Sequence, residues 1–288
     1  MRYKRLGRTE LNVSSVSLGG AYIGGRNIEC MEENAIEIVS RAWETGCNYI
    51  DTAPLYGESE RLLGRALSAV NQPFFIATKV GFEPEGFDYK RDSVLTSLER
   101  SLALLGVDKV TVAQIHEVNL AGWDRIMGSG GALEGLREAQ QRGLCDFIGI
   151  TARAIPLLTE LAETGEFDTV LCYHDYHPCK KLAAEQVIPA ATASDMGIVI
   201  ATPLAGGIFV ENEQQHEAVE QWFDEEDRPR VLGIIEEMKT EKSTLPQSAF
   251  RWILGDNRVS TVSSGSSNIA EWDEVVVAAD MEVLRLSV

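Results

Sequence analysis

Short apolar runs rich in β-branched residues alternate along this chain with longer stretches whose apolar positions recur at helical spacing, and that alternation predicts an α/β protein. At the start, "YKRLGRTELNVSSVSLGG" alternates around a Gly-Arg-Thr turn, which predicts an N-terminal β-hairpin leading into a first strand that ends at Gly19 and Gly20. Seven further strands are predicted at "CNYID", "FFIATK", "VTVAQIH", "DFIGIT", "TVLCY", "GIVIATP" and "STVSS". Between them, "ENAIEIVSRAWETG", "SERLLGRALSAV", "RDSVLTSLERSLALLG", "GALEGLREAQQRG", "IPLLTELAETG", "AAEQVIPAATASDMG" and "PRVLGIIEEMKTEKSTLPQSAFRWILG" repeat apolar positions as helices do. Several close on Gly, a common helix terminator. Eight strands alternating with helices favour a closed (β/α)8 TIM barrel, with an open doubly wound sheet as the alternative. The pieces "MGSGG" and "ENEQQHEAVEQWFDEEDRP" read as loops on the barrel mouth. No low-complexity linker divides the chain, so residues 1–288 read as one domain.

Charge narrows the range of partners. The 44 acidic residues outnumber the 26 basic ones, giving a net charge of −18. Nucleic-acid binding rests on cations that neutralise phosphates, so a nucleic acid is not an expected partner, and neither is an anionic membrane surface. A solvated acidic exterior is the simpler reading. Five cysteines, Cys30, Cys47, Cys145, Cys172 and Cys179, are odd in number and lack C-x-x-C spacing, as expected of free thiols in a reducing compartment. "MRYKRLGRTELN" has no apolar core behind its charges and no run reaches membrane-spanning length, so a cytoplasmic protein is expected.

In a barrel, residues at the C-terminal strand ends converge on one mouth. Asp51 ends the second strand, Lys79 the third and His116 the fourth, while Tyr56 follows Asp51 on the next loop. Singly, each has a plain structural role: a turn cap, a solvated terminus, a core histidine, a packing wedge. Jointly they suggest chemistry. Lys79 and Asp51 would be expensive to desolvate alone and make sense as a pair. An ammonium beside a phenol favours the ionised phenol, so Lys79 would tune Tyr56. His116 would donate to a carbonyl oxygen as charge develops there. The set suits protonation of a carbonyl while another agent delivers hydride to its carbon. Two rival features are weaker. His174 and His177 in "YHDYHPC" lack a third ligand at metal-site spacing, so no metal is expected, and Cys172 has no recognisable base.

These segments, from the hairpin through "YIDTAPLYGESERLLGRAL", "ATKVG", "IH", "FIGIT", "PLAGG" and "SSGSSN", resemble the aldo-keto reductase family in content and order. The resemblance implies a (β/α)8 barrel that holds NAD or NADP extended across the mouth. It implies Tyr56 as proton donor or acceptor, Lys79 and Asp51 as its tuning pair, and His116 as the carbonyl-orienting group. By the same carry-over Gly19, Gly20, Ala21, Asp51, Thr151, Cys172, Pro203, Leu204, Gly206, Gly265, Ser266, Ser267 and Asn268 would contact the coenzyme. Departures from the family pattern are Thr151-Ala152 for Ser-Asn, Cys172 for Gln, Ala201 for an aromatic ring and Val275 for Asn. Tyr173 could supply a ring there. Glu271, Asp273 and Glu274 stand where cations would meet a 2′-phosphate, which leaves NAD and NADP both open. Mouth-loop residues Tyr22, Phe82, Glu117, Asn119, Trp123, Trp222 and Phe223 are the candidates for contacting a substrate, a small aldehyde, ketone or aldose. A nicotinamide-binding sensor or docking subunit with little turnover, and a metal-dependent barrel hydrolase, are the alternatives. The oligomeric state is left open.

Overall fold

A computed structural model describes residues 1–23, 32–153, 155–239 and 242–286. Eight parallel strands close into a barrel: β1 (Val16–Gly19), β2 (Tyr49–Asp51), β3 (Phe75–Val80), β4 (Val110–Ile115), β5 (Cys145–Ala152), β6 (Thr169–Tyr173), β7 (Gly197–Ala201) and β8 (Thr261–Ser264). Each pairs with its successor, and β8 pairs with β1, Val262 opposite Val16. The closed barrel is therefore realised and the open sheet is not. The hairpin is present as well: Tyr3–Arg5 runs antiparallel to Asn12–Ser14.

Side chains on a strand alternate between two faces, and here the faces separate into two apolar clusters. Ile50, Ile76, Ala113, Ile150, Val170, Cys172, Ile198 and Ile200 belong to the large cluster shared with the surrounding helices. Tyr49, Ala77, Val112, Leu171 and Val199 form a smaller cluster inside the barrel, closed by Leu6 and Val13 of the hairpin. The hairpin is thus the barrel's floor, and everything two residues further along each inward face lies nearer the mouth.

The helices follow the sequence pattern closely where terminators are strong. Ser59–Val70 ends on a left-handed Asn71, and Arg91–Leu105 on a left-handed Gly106. Three regions differ from expectation. The long segment before β8 is two helices, Arg228–Met238 and Leu245–Leu254, because Thr244 and Gln247 form a reciprocal capping box that starts the second. "AAEQVIPAATASDMG" likewise breaks at Gln186 into Leu182–Glu185 and Val187–Ala193. The polar stretch after β7 is helical over Gln214–Trp222, and with Arg228–Met238 it buries a satellite cluster that includes Phe209, Val219, Val231 and Ile235. Its apolar residues are sparse, so its periodicity is hard to see against a charged background.

A short hairpin, Phe82–Glu83 with Gly86–Phe87, and two small helices, Val118–Ala121 and Trp123–Met127, decorate the loops after β3 and β4. "MGSGG" joins the second of these helices to Ala132–Gln141. Among the described residues no helix is long and apolar enough to cross a membrane. Cys47, Cys145, Cys172 and Cys179 are buried and unpaired, while Cys30 lies outside the described residues.

Candidate active site

The sequence after β2 turns sharply. Ala53 is extended, Pro54 begins a single 3-10 turn ending at Tyr56, and Gly57 takes φ 60°, ψ −117°, a conformation closed to residues with a side chain. This turn brings Tyr56 back over the mouth, half-buried, before helix Ser59–Val70 starts. Ser59 anchors it by donating to the Gly20 carbonyl at 2.8 Å.

Below Tyr56 sits a buried polar group in which nearly every bond is made. Lys79 Nζ donates to Asp51 Oδ2 at 2.6 Å and to the Thr52 carbonyl at 2.9 Å, and a hydrogen bond to Tyr56 uses its third proton. Gln114 Nε2 donates to the other Asp51 oxygen at 2.8 Å. Lys79 and Gln114 are fully buried and Asp51 is 3% exposed. Burial alone would pull the Lys79 ammonium down, but the Asp51 carboxylate and Tyr56 outweigh it, and the net direction is above the ordinary lysine range. The ammonium lies 4.9 Å from the centre of the Tyr56 ring, and His116 meets the same ring edge to face, centroids 5.9 Å apart.

These side chains open on a cavity of about 430 Å³ lined by Asp51, Tyr56 and His116, together with Gly19, Ala21, Tyr22, Glu117, Thr151 and Tyr173 among others. A second cavity of about 390 Å³ holds Pro203, Leu204, Gly206, Ser266, Ser267, Glu271, Glu274 and Val275. Tyr22, Thr202 and Gly265 line both, so the two form one cleft running away from His116. The cleft is tight at its waist: a Cβ on Gly265 would come within 2.7 Å of the Tyr22 ring. An elongated, glycine-walled cleft ending at a phenol and an imidazole fits a nicotinamide dinucleotide.

Most of the residues expected at the site are thus brought together, and some are not. Cys172 faces outward with Val170, in the cluster beneath the helices, and lines neither cavity; burial also pushes its thiol pKa up, away from a nucleophile. The inward position at the end of β6 belongs to Tyr173, one residue on. Gly20 is buried where a Cβ would meet Ser59 Oγ at 2.5 Å. Asn268 caps helix Ile269–Val276 by accepting from the Glu271 N–H at 3.0 Å. Phe82 packs on Phe87, and Asn119 is exposed on a small helix. Of the other aromatics, Trp222 lines the first cavity and stacks on His174 at 4.4 Å. His177 packs its ring edge to face on Phe209.

Several residues of the site carry no distinctive sequence signal. Gln114, the second partner of Asp51, could be found only as the position two before His116, near the end of β4. Arg153 lines the cavity while Asp175, 1% exposed, holds its guanidinium through bonds of 3.2 and 2.8 Å. Glu117, His174 and Thr202, all on the cavity wall, have positive φ values of 52°, 59° and 56°. Such conformations cost about 1–3 kcal/mol each in ordinary residues and cluster at functional sites.

Comparison with known proteins agrees with this geometry. Residues 15–286 match the model of the Aldo/keto reductase family. The chain is 28% identical to an L-galactose dehydrogenase of Arabidopsis thaliana over 96% of this chain and 87% of that protein. It is 24% identical to a D-threo-aldose 1-dehydrogenase of a Pseudomonas species, over 95% and 91% respectively. Among solved structures, the holo form of an aldo-keto reductase from Bacillus halodurans superposes with a TM-score of 0.82 at 23% identity, covering 99% of this chain and 93% of that one. With a family match spanning almost its whole length, the chain belongs to the aldo/keto reductase family of oxidoreductases.

Proposed function

We propose that this protein interconverts a carbonyl and an alcohol, with Tyr56 giving or taking the proton at the substrate oxygen. The observation that carries the reading is the buried group beneath the phenol: Lys79 held by Asp51, touching Tyr56, with His116 edge to face against the same ring. Bound nicotinamide would supply or accept the hydride. Everything else falls to the chain. His116 donates to the carbonyl oxygen and orients it. In the reducing direction Tyr56 passes its proton to that oxygen, and the Lys79 ammonium stabilises the phenolate left behind. In the oxidising direction the phenolate takes the hydroxyl proton. Asp51 keeps Lys79 charged and aimed, and Gln114 fixes Asp51. The sugar dehydrogenases among the relatives make aldoses and small aldehydes the candidate substrates.

Replacing Tyr56 by Phe keeps the ring and removes the proton. Steady-state rates on a panel of aldehydes and aldoses, with NAD(H) and NADP(H), should fall by about 10²–10⁴-fold. Unchanged rates in every pairing would end the proposal.

The far cavity favours NAD. Ser267 donates both its N–H, at 2.8 Å, and its hydroxyl, at 3.0 Å, to the Glu271 carboxylate in the first turn of helix Ile269–Val276. The anion position at that helix end is therefore already filled by a residue of the chain, and Glu274 lines the same cavity. A 2′-phosphate would have to displace one carboxylate and face another, whereas an unphosphorylated ribose meets acceptors for its hydroxyls. Calorimetric titration should give tighter binding of NAD than NADP. Glu271→Ala should narrow that gap by roughly threefold to tenfold, as an exposed charge contact of about 1 kcal/mol allows.

A further inference from the structure

The cavity wall beyond His116 carries a carboxylate that the proposed proton transfer does not use. Only 16% of the Glu117 side chain is exposed, and its backbone is left-handed at φ 52°, ψ 59°. The surroundings enforce that conformation. Tyr89, buried, shares its hydroxyl proton between the carbonyl oxygens of His116 at 2.8 Å and Glu117 at 3.0 Å, and the Leu120 N–H donates to the same Glu117 oxygen at 2.8 Å. Strain maintained this firmly at a cavity wall points to a use for the side chain it aims.

The side chain is aimed with equal care. The Tyr173 hydroxyl lies 2.7 and 2.9 Å from the two Glu117 oxygens, and Glu117 Oε1 is 4.0 Å from His116 Nε2. An ionised carboxylate offers about four acceptor positions, and Tyr173 has one proton to give. Burial pushes the Tyr173 phenol up, and its bond to Glu117 adds to the effect, so Tyr173 stays a donor. Arg153 shares the wall, and its charge acts on Glu117 and Tyr173, but the hydrogen bonds of its guanidinium go to Asp175, so it leaves the Glu117 oxygens free to accept from a ligand.

We propose that Glu117, set by Tyr173, is the specificity-determining residue for polyhydroxylated carbonyl substrates, accepting hydrogen bonds from the hydroxyls next to the reacting carbon; the inference rests on the reading of Tyr56 and His116 given above. If His116 holds the carbonyl oxygen, the hydroxyl on the neighbouring carbon falls beside Glu117. A vicinal diol brings two donors to a carboxylate short of them. A hydroxyl-free aldehyde of the same size desolvates that carboxylate and returns nothing, and an anionic carbonyl compound meets like charge. The substrate class is therefore neutral aldoses and hydroxyaldehydes rather than simple aldehydes or keto acids.

Glyceraldehyde and propanal form the matched pair that tests this, since they share a three-carbon aldehyde frame and differ in the diol. Wild-type kcat/KM should favour glyceraldehyde by about a hundredfold, below the limit for a fully buried hydrogen-bonding site because Glu117 keeps some exposure. In Glu117→Gln the ratio should fall toward one, with the loss on glyceraldehyde carried mainly by KM. Tyr173→Phe, which removes the hydroxyl that sets the carboxylate and leaves the backbone at Glu117 alone, should lower the ratio as well. A wild-type ratio near one, or a ratio unchanged in both variants, overturns the assignment. Failure of the Tyr56 reading looks different, because Tyr56→Phe would then turn over both aldehydes at wild-type rates, whatever the ratio between them.

Discussion

Two layers of the barrel interior lie two residues apart on the same strands, and their chemistry is opposite. The lower layer, Tyr49, Ala77, Val112, Leu171 and Val199, packs against Leu6 and Val13 of the hairpin. One step up each strand stand Asp51, Lys79, Gln114, Tyr173 and Ala201, of which the first three form the buried polar group and the last two line the cavity. Because a strand returns to the same face every second residue, any strand long enough to build the floor also delivers a side chain to the mouth. The lower layer can be largely apolar, since it need only exclude water; the hydroxyls of Ser17, Tyr49 and Thr261 interrupt it. The upper layer gives up hydration too, so its polar groups must satisfy one another, and Lys79 does so with all three protons.

Breaking that mutual satisfaction should have the largest effect on the molecule. Lys79→Met leaves Asp51 buried beside Gln114 with no cation, which costs about 3–5 kcal/mol of folding stability. Denaturant unfolding should report that loss, and carbonyl turnover should fall with it. Adding Asp51→Asn should recover much of the stability, because the stranded charge is gone, and none of the activity, because the phenol still lacks its ammonium. The wild-type pair also has a pH signature. Its Lys79 pKa is raised above the unfolded value, so its contribution is complete below the ordinary lysine pKa of about 10.4 and is lost only as pH climbs through the higher folded value. Lys79→Met should abolish that alkaline decline. A double variant that stays as unstable as the single one would show that packing, and not charge, holds the layer together.

The sequence carried the upper layer better than its surroundings. Asp51, Lys79 and His116 were visible because each ends an apolar run, and a barrel sends all strand ends to one place. Tyr56 was visible because Pro54 and Gly57 mark a turn too tight to ignore. Facing is harder to read. Cys172 and Tyr173 are neighbours at the end of β6, and nothing in "TVLCY" says which points inward until Leu171 is known to pack in the floor. Gln114 and Arg153 carry no signal for another reason, since their importance lies in partners that are distant in the sequence. The helix Gln214–Trp222 is hard to see because its few apolar residues, which cover a satellite cluster, stand among mostly polar ones.

Tyr49 is where the two layers can be compared most finely. Its hydroxyl is fully buried with no hydrogen-bond partner among the described residues, and it belongs to the bulkiest of the layer's polar side chains, which also include Ser17 and Thr261. Burial holds its phenol far above the usual range, and Asp51, two residues up, adds to that, so it stays neutral. An unsatisfied buried hydroxyl is a liability of about 1–3 kcal/mol, recovered when an apolar isostere replaces it. Tyr49→Phe should therefore leave stability unchanged or raise it by about 1 kcal/mol in denaturant unfolding, with carbonyl turnover close to wild type. A clear loss of stability would mean that the hydroxyl is bonded in solution, through a water reaching up to the Asp51 carboxylate. The boundary between floor and chemistry would then run below Tyr49 instead of above it. If activity fell while stability held, the hydroxyl would belong to the network that sets Lys79, and the lower layer would be partly functional.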